Sequence, residues 1–295
     1  MPTPTAEVLI DDALVRALLA EQHRDLAQLP LTAVGQGWDN AVYRLGDSLA
    51  VRMPRRAVSA PLIEHEQRWL PALAPALPLE VPAPVRIGRP GCGYPWSWSV
   101  VPWLPGRTAL ESPPEDDAQT AGTLAEFLRA LHQPAPTTAP RNPWRGVPLS
   151  RREQAFHEHM DRLQSTVDRA AILAAWSRAR RAPPWDKPAC WIHGDLHPGN
   201  MLVDSGRLSA VIDFGDLAAG DPATDLSVVW MALGPVNRAR VRRLACGSEG
   251  WLDHHTWDRA RGWALALGLA YAAIADDEPS MRALGRRTVN AVLGD

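Results

Sequence analysis

The chain has 295 residues, 46% hydrophobic and 22% charged, enough for one large domain or two lobes with a real core. A formal net charge of −2 excludes the strongly basic footprint of a nucleic-acid binder, and three scattered cysteines, Cys92, Cys190 and Cys246, offer neither a disulfide framework nor a zinc cluster. The N-terminal MPTPTAEVLIDDALV lacks a basic region followed by an apolar run, and WALALGLAYAAIA (263–275) is too short to span a bilayer. A cytoplasmic protein with no nucleic-acid or membrane partner is expected.

In chain order, residues 7–28 read as an amphipathic helix. LTAVGQG, NAVYRLG and LAVRMP follow, three short alternating segments split by glycine-containing turns, which predict an antiparallel meander. A helix is expected over 59–70, stopped near Pro71, then strands around Val85 and in SWSVVPWL. The rest has mainly helical period, over 116–133, 151–181, 222–233, 237–246 and 256–275, with a Pro-rich surface connection from Pro134 to Pro148. A strand-rich first third before a helix-rich remainder predicts an α+β, bilobal architecture: an antiparallel-sheet lobe over 1–103, a mostly helical lobe over 104–295, and a cleft between them.

The chemistry concentrates in WIHGDLHPGNMLVDSGRLSAVIDFGD (191–216). MLV and LSAVI are short strands joined by DSGR, a turn sequence, so a hairpin should set Asn200 beside Asp213. An amide oxygen next to a carboxylate is a hard-oxygen site suited to Mg²⁺ carrying phosphates. Asp195, five residues before Asn200, is placed to orient a substrate hydroxyl and accept its proton. This order, Asp-x-x-x-x-Asn and then Asp-Phe-Gly, is the phosphoryl-transfer arrangement of protein kinases. A rival reading makes His193, Asp195 and His197, alternating on one strand face, the ligands of a metal-dependent hydrolase together with Asp213. Pro198-Gly199 breaks that strand at once, and the rival leaves Asn200 idle. A non-catalytic pseudokinase is disfavoured by the intact Asp195, Asn200 and Asp213.

The motif HGDLHPGN…VIDFGD…GDPATDL resembles the aminoglycoside phosphotransferase family within the protein-kinase-like fold, in which His-Gly-Asp replaces His-Arg-Asp. The resemblance implies a catalytic base at Asp195, Mg²⁺ ligands at Asn200 and Asp213, and a loop-bracing His193. It also implies ATP or GTP as phosphate donor. His197 and Asp225 are read as supports of the same loop.

A nucleotide cradle is expected from Gly35 and Gly37, at the turn between the first two strands. Protein kinases place a lysine where Arg52 stands, but the sole lysine here is Lys187. Arg52 therefore takes the phosphate-holding position, and arginine binds phosphate or carboxylate in a two-point fashion. Glu66 lies within the apolar stripe of Leu62, Trp69 and Leu70, where a carboxylate needs a partner, so Arg52–Glu66 is the expected ion pair. Backbone near Val101 is expected to meet the purine edge, as the resemblance implies.

Only seven residues separate Asp213 from Asp221, too few for a peptide-binding activation segment, and Gly194 removes a phosphate-reading arginine. Both point to a small hydroxylated acceptor: an aminoglycoside-like or other antibiotic, or alternatively an endogenous amino alcohol or sugar. Asp253, Asp258, Asp276, Asp277 and Glu278 are available to an amine on it, whereas 151–181 carries seven arginines against four acids.

Overall fold

The computed structural model describes residues 4–163, 168–248, 250–273 and 278–295; Asp276 and Asp277 lie outside them. Helix α1 (Asp12–Gln22) is shorter than its sequence pattern because Asp11 caps it, accepting the Leu14 N–H at 2.9 Å. Its buried face, Val15, Leu18 and Leu19, packs on a five-stranded antiparallel sheet. The strands are β1 (Leu31–Gln36), β2 (Asn40–Leu45), β3 (Leu49–Pro54), β4 (Arg86–Gly88) and β5 (Trp98–Pro102), in the order β1-β2-β3-β5-β4. Alternation sends Tyr43, Leu45, Val51, Met53, Trp98 and Val100 into one apolar cluster beneath α1.

Helix α2 (Ala60–Leu73) follows β3 and runs through Pro71 rather than stopping there. The ring falls in the last turn, where little helix remains to be interrupted. Beyond it, Glu80 docks on the second part of the molecule: its N–H donates to Ser209 O at 3.1 Å, and it accepts from Val211 N–H at 2.9 Å. Leu70, Leu79 and Val81 accordingly belong to the second apolar cluster.

That part contains two small sheets. β6 (Arg107–Thr108), β8 (Met201–Asp204) and β9 (Arg207–Val211) form one, ordered β6-β8-β9; β7 (Cys190–Ile192) pairs with β10 (Ala218–Gly220) in the other. Around them stand α3 (Asp117–Leu131), α4 (Glu153–Leu163), α5 (Arg169–Arg180), α6 (Ala223–Leu226), α7 (Val228–Ala232), α8 (Pro235–Cys246), α9 (His254–Ala272) and α10 (Pro279–Leu293). The long helix expected over 151–181 is thus α4 and α5. The one expected over 222–233 breaks at Ser227, whose hydroxyl donates to Thr224 O at 2.6 Å. Helix α9 is buried on nearly every side, as its apolar sequence requires. No helix among the described residues is long and apolar enough to cross a membrane. The architecture is α+β, an antiparallel-sheet part followed by a helical part.

Candidate active site

The loop from His193 to Asn200 joins β7 to β8, and Asp225 of α6 holds its start. This fully buried carboxylate accepts the N–H groups of His193 at 2.8 Å and Gly194 at 2.9 Å. His132 Nε2 lies 3.2 Å from the same group. His132, just past the end of α3, is a functional position that the sequence reading missed. Its one signal is a histidine ending the apolar stripe of FLRAL. His193 Nε2 donates to Ile212 O at 2.9 Å, while its Nδ1 accepts the Asp195 N–H at 3.2 Å. With both ring nitrogens engaged, His193 has no lone pair for a metal, and the hydrolase reading loses its first ligand. Gly194 adopts φ +87°, and a Cβ there would lie 2.6 Å from Asp216 O, so the arginine of protein kinases has no room.

The hairpin of β8 and β9 brings the two ends together. Ile212 N–H donates to Asn200 O at 2.9 Å, and Asn200 Nδ2 donates to Asp195 O at 2.9 Å, while Asn200 Oδ1 has no hydrogen-bond partner among the described residues. Asp213 follows in a left-handed conformation (φ 63°) with its side chain 57% exposed. One amide oxygen and one carboxylate form a hard donor pair that fits Mg²⁺, an ion that keeps waters and takes phosphate oxygens.

Asp195 is held from several sides. Its Oδ1 accepts from Arg145 Nη2 at 2.8 Å and from the Tyr271 hydroxyl at 3.4 Å, and its Oδ2 is 3.6 Å from His197 Nε2. Burial pushes this carboxyl up, but Arg145, His197 and His193 outweigh it and hold the group well below the usual carboxylate range. Neighbouring Asp216 moves the other way. Burial and the Asp195 charge raise it, against Arg145 and the Asn142 Nδ2 donor at 2.7 Å. The 134–148 segment is therefore more than a surface connection, since it delivers Arg145 and Asn142 to these two carboxylates. His197 accepts the Gly199 N–H on Nδ1 at 3.0 Å and meets Tyr271 edge-on.

Between the sheet and this loop lies a cleft of about 320 Å³, lined by Gly37, Trp38, Asn40, Arg52, Val101, Trp103, Leu202 and Asp213 among others. Arg52 pairs with Glu66 through Nη1 and with Asp213 Oδ1 through Nη2 at 3.2 Å. Burial lowers the Arg52 guanidinium, yet Glu66 and Asp213 more than offset it and leave it above its ordinary value. Burial pushes the Glu66 carboxyl up to about 7 against the pull of Arg52. The pair is charged on both sides. A guanidinium facing two carboxylates stays protonated, and a neutral Glu66 would leave it buried with half its counter-charge.

The glycines divide. Gly37 lines the cleft, but its N–H donates to Asn40 O at 2.9 Å and its carbonyl accepts from Arg55 at 2.8 Å. Gly35 lies inside β1 opposite Val42, next to a bulge, and shapes the strand rather than the cleft. Asp39, in the same turn, is fixed by the Ser59 hydroxyl at 2.5 Å and by Arg56 at 3.0 Å. Val101 lines the cleft from β5, opposite Ala50 of β3. Trp103 N–H donates back to Ser48 O at 2.8 Å, so by alternation the next groups facing out are the Pro102 carbonyl and the Leu104 N–H. Asn40, 8% exposed, has an Oδ1 with no partner among the described residues and is a second lining position that sequence reading passed over.

The pattern of the phosphotransferase enzyme family (APH) matches residues 30–263. An aminoglycoside 3'-phosphotransferase of Escherichia coli is 26% identical over 154 residues, 50% of this chain and 57% of that protein. Viomycin phosphotransferase of Streptomyces vinaceus is 28% identical over 296 aligned positions, covering 89% of this chain and 96% of that one. Among solved structures, the GDP complex of wild-type aminoglycoside 2'-phosphotransferase-IIIa superposes with a TM-score of 0.68 at 20% identity, covering 95% of this chain and 99% of its own. The match over 30–263 takes in the sheet, the cleft and the loop that carries Asp195, Asn200 and Asp213, and this chain belongs to the phosphotransferase enzyme family.

Proposed function

We propose that the protein is a Mg²⁺-dependent O-phosphotransferase that moves the γ-phosphate of ATP or GTP to a hydroxyl of a small molecule. An aminoglycoside-like or other antibiotic is the leading acceptor. One observation carries the reading: Asp195, Asn200 and Asp213 converge through the Asn200–Asp195 and Ile212–Asn200 hydrogen bonds, each 2.9 Å long, beside a cleft in which Arg52 already touches Asp213. The names of the relatives above, both phosphotransferases of antibiotics, support the choice of acceptor.

In this reading residues 1–103 hold the donor and 104–295 the acceptor. Arg52, oriented by Glu66, meets the donor phosphates. The turn around Gly37 covers them, and the outward edge after Val101 takes the purine. Asn200 and Asp213 would hold Mg²⁺, which supplies charge neutralisation to the phosphate oxygens. Asp195 orients the acceptor hydroxyl and takes its proton as the phosphoryl group moves. His193, His197 and Asp225 keep the loop in place. A strongly depressed carboxylate is a weak base, which suits a loose transition state where positioning matters more than early proton removal.

The acids expected to serve an amine are largely committed. Asp253 caps α9, accepting from Thr256 at 2.7 Å, and lies 3.8 Å from Lys187; Asp258 shares a cavity with Arg238, Arg242 and Arg261. A metabolite with a hydroxyl, such as an amino alcohol or sugar, is accordingly the second reading. The test is transfer of labelled γ-phosphate from ATP and from GTP, with Mg²⁺, to aminoglycosides, viomycin, macrolides, amino alcohols and sugars, alongside generic protein substrates. Transfer to an antibiotic is expected. Labelling of protein side chains with none of small molecules overturns the reading.

A further inference from the structure

We infer that Arg145 is a positioning residue of the transfer site, carried in by the 134–148 strap, and that it fixes the Asp195 carboxylate so that Oδ2 is the oxygen left to the acceptor hydroxyl. The inference rests on the phosphotransferase reading above. A carboxylate offers two oxygens, and rotation of its terminal torsion exchanges them with little resistance. Here Oδ1 is occupied by two donors from distant parts of the chain, Arg145 Nη2 at 2.8 Å and the Tyr271 hydroxyl at 3.4 Å. The other oxygen faces His197 Nε2 at 3.6 Å, too long for a hydrogen bond. The pair is charge-assisted, which gives the geometry both strength and direction.

Arg145 is not a solvated surface arginine. Its side chain is 18% exposed, and its Nε lies 3.9 Å from Asp216 Oδ2. The strap is anchored on both flanks of it. Ala219 N–H donates to Pro140 O at 2.8 Å, Asp221 N–H donates to Gly146 O at 2.9 Å, and Gly146 N–H donates to the Thr224 hydroxyl at 2.9 Å. Asn142 ties the strap to Asp216 at 2.7 Å. Gly146 holds φ +65°, and a Cβ there would lie 2.6 Å from Ile192 and 2.8 Å from Gly220, so this backbone path needs glycine. A guanidinium held this firmly is a fixed strut. In the transfer step the acceptor O–H gives its proton to Asp195 Oδ2, the acceptor oxygen bonds the γ-phosphorus, and the nucleoside diphosphate leaves. Arg145 exchanges nothing and acts only through the orientation of Asp195.

The test is steady-state turnover of labelled ATP with Mg²⁺, using water as acceptor and, in parallel, the best acceptor of the wild-type panel. For Arg145→Ala we expect kcat to fall at least about tenfold while the nucleotide KM stays within about threefold, the split expected when an interaction that matters in the transition state is lost. Arg145→Lys should recover part of the rate, and millimolar guanidinium added to the alanine variant should restore some of it. A purely structural role would show neither recovery. Should Arg145→Ala fail to fold, Tyr271→Phe removes the second donor to Oδ1 and should lower kcat by about two- to fivefold at unchanged melting temperature. Wild-type kcat in the foldable variant, or a lower kcat accompanied by a raised nucleotide KM and a lowered melting temperature, overturns the inference alone. A wild-type protein that turns over no nucleotide with water or any acceptor overturns the phosphotransferase reading and this inference with it.

Discussion

Two arginines in this molecule each stand between a pair of carboxylates, one in the sheet and one in the strap. Arg52 bridges Glu66 and Asp213; Arg145 bridges Asp195 and Asp216. The first grows from regular structure. It sits in the middle of β3, the central strand of the five with β2 on one side and β5 on the other, and its partner rises from the buried face of α2. The second comes from a segment without a helix or strand of its own, positioned by hydrogen bonds to β10 and α6. Regular elements fix a side chain by periodicity, whereas an irregular strap fixes it by anchors remote in sequence. The first kind of placement can be read from spacing, and the second cannot.

The comparison can be broken at the carboxylate that the strap arginine holds directly. Replacing Asp195 with Asn should lower phosphoryl transfer by at least about a hundredfold while leaving nucleotide affinity nearly unchanged, because a base and positioning group acts mainly in the transition state. Initial rates and nucleotide titration on the variant measure the two separately. Turnover close to wild type would take Asp195 out of the mechanism, and the strap arginine would then brace nothing that reacts.

On the sheet side the expected effect is smaller and falls on binding. Arg52→Ala and Glu66→Ala should each raise the nucleotide KM by at least about tenfold, roughly 1.4 kcal/mol of lost interaction. The double variant should be far less than additive, since both changes dismantle one buried pair. Arg52→Lys should be tolerated poorly, because an ammonium cannot reach Glu66 and Asp213 with the fork that a guanidinium offers. Additive effects in a double-mutant cycle would mean that the pair does not act as a unit.

What the sequence made legible follows the same division. Arg52 was identifiable as the cation standing where protein kinases carry a lysine, and Glu66 because helical spacing puts a charge within an apolar stripe. Asn200 and Asp213 were identifiable because a hairpin must close its ends. Asp225 was identifiable by its motif. Arg145, Asn142 and Tyr271 were not. The first two lie in a proline-rich stretch with no period, and Tyr271 looks like one more apolar position of α9 until its hydroxyl is seen beside Asp195. Helix ends were the other weak point. Pro71 suggested a stop that the last turn of α2 did not need, and nothing in the periodicity of 222–233 announced the break at Ser227. Gly35 and Gly37 looked equivalent in sequence, but Gly35 lies within β1 and Gly37, just past its end, lines the cleft.

The strap itself offers a sharper contrast. Gly146→Ala places a Cβ against Ile192 and Gly220 at a positive φ, so the strap must shift off β10. A destabilisation of about 1–2 kcal/mol is expected from the strained backbone alone. Transfer should weaken by more than the melting temperature suggests, because Arg145 moves with its neighbour. Gly46→Ala is the control: it also has positive φ (60°), but it lies in the turn between β2 and β3. Comparable strain there should lower stability while sparing kcat. Equal kinetic losses in the two variants would make the strap no different from any other turn.

The smallest effect belongs to a carboxylate that serves only the fold. Asp253 caps α9, its Oδ1 accepting the Thr256 N–H at 2.7 Å and the Thr256 hydroxyl at 2.8 Å. Burial pushes this carboxyl up, but the two Thr256 bonds, Arg259 and Lys187 outweigh it, so the group sits below its ordinary value. A depressed acid contributes stability that is fully present above the unfolded carboxylate pKa, about 3.9, and that is lost as pH falls through the lower folded value. Asp253→Ala should therefore cost about 1 kcal/mol at neutral pH, the usual loss of an N-cap. The gap in stability from wild type should narrow as pH drops below about 4. Asp253→Asn separates the two contributions: its amide oxygen still caps the helix, so most of the neutral-pH stability should remain while the pH dependence disappears. Denaturant unfolding of the three proteins across that range reads the result directly. Because Asp253 braces a helix terminus and not Asp195 or Arg52, kcat and nucleotide KM should be unchanged in both variants; a selective loss of transfer to amine-bearing acceptors would instead return this carboxylate to the acceptor site.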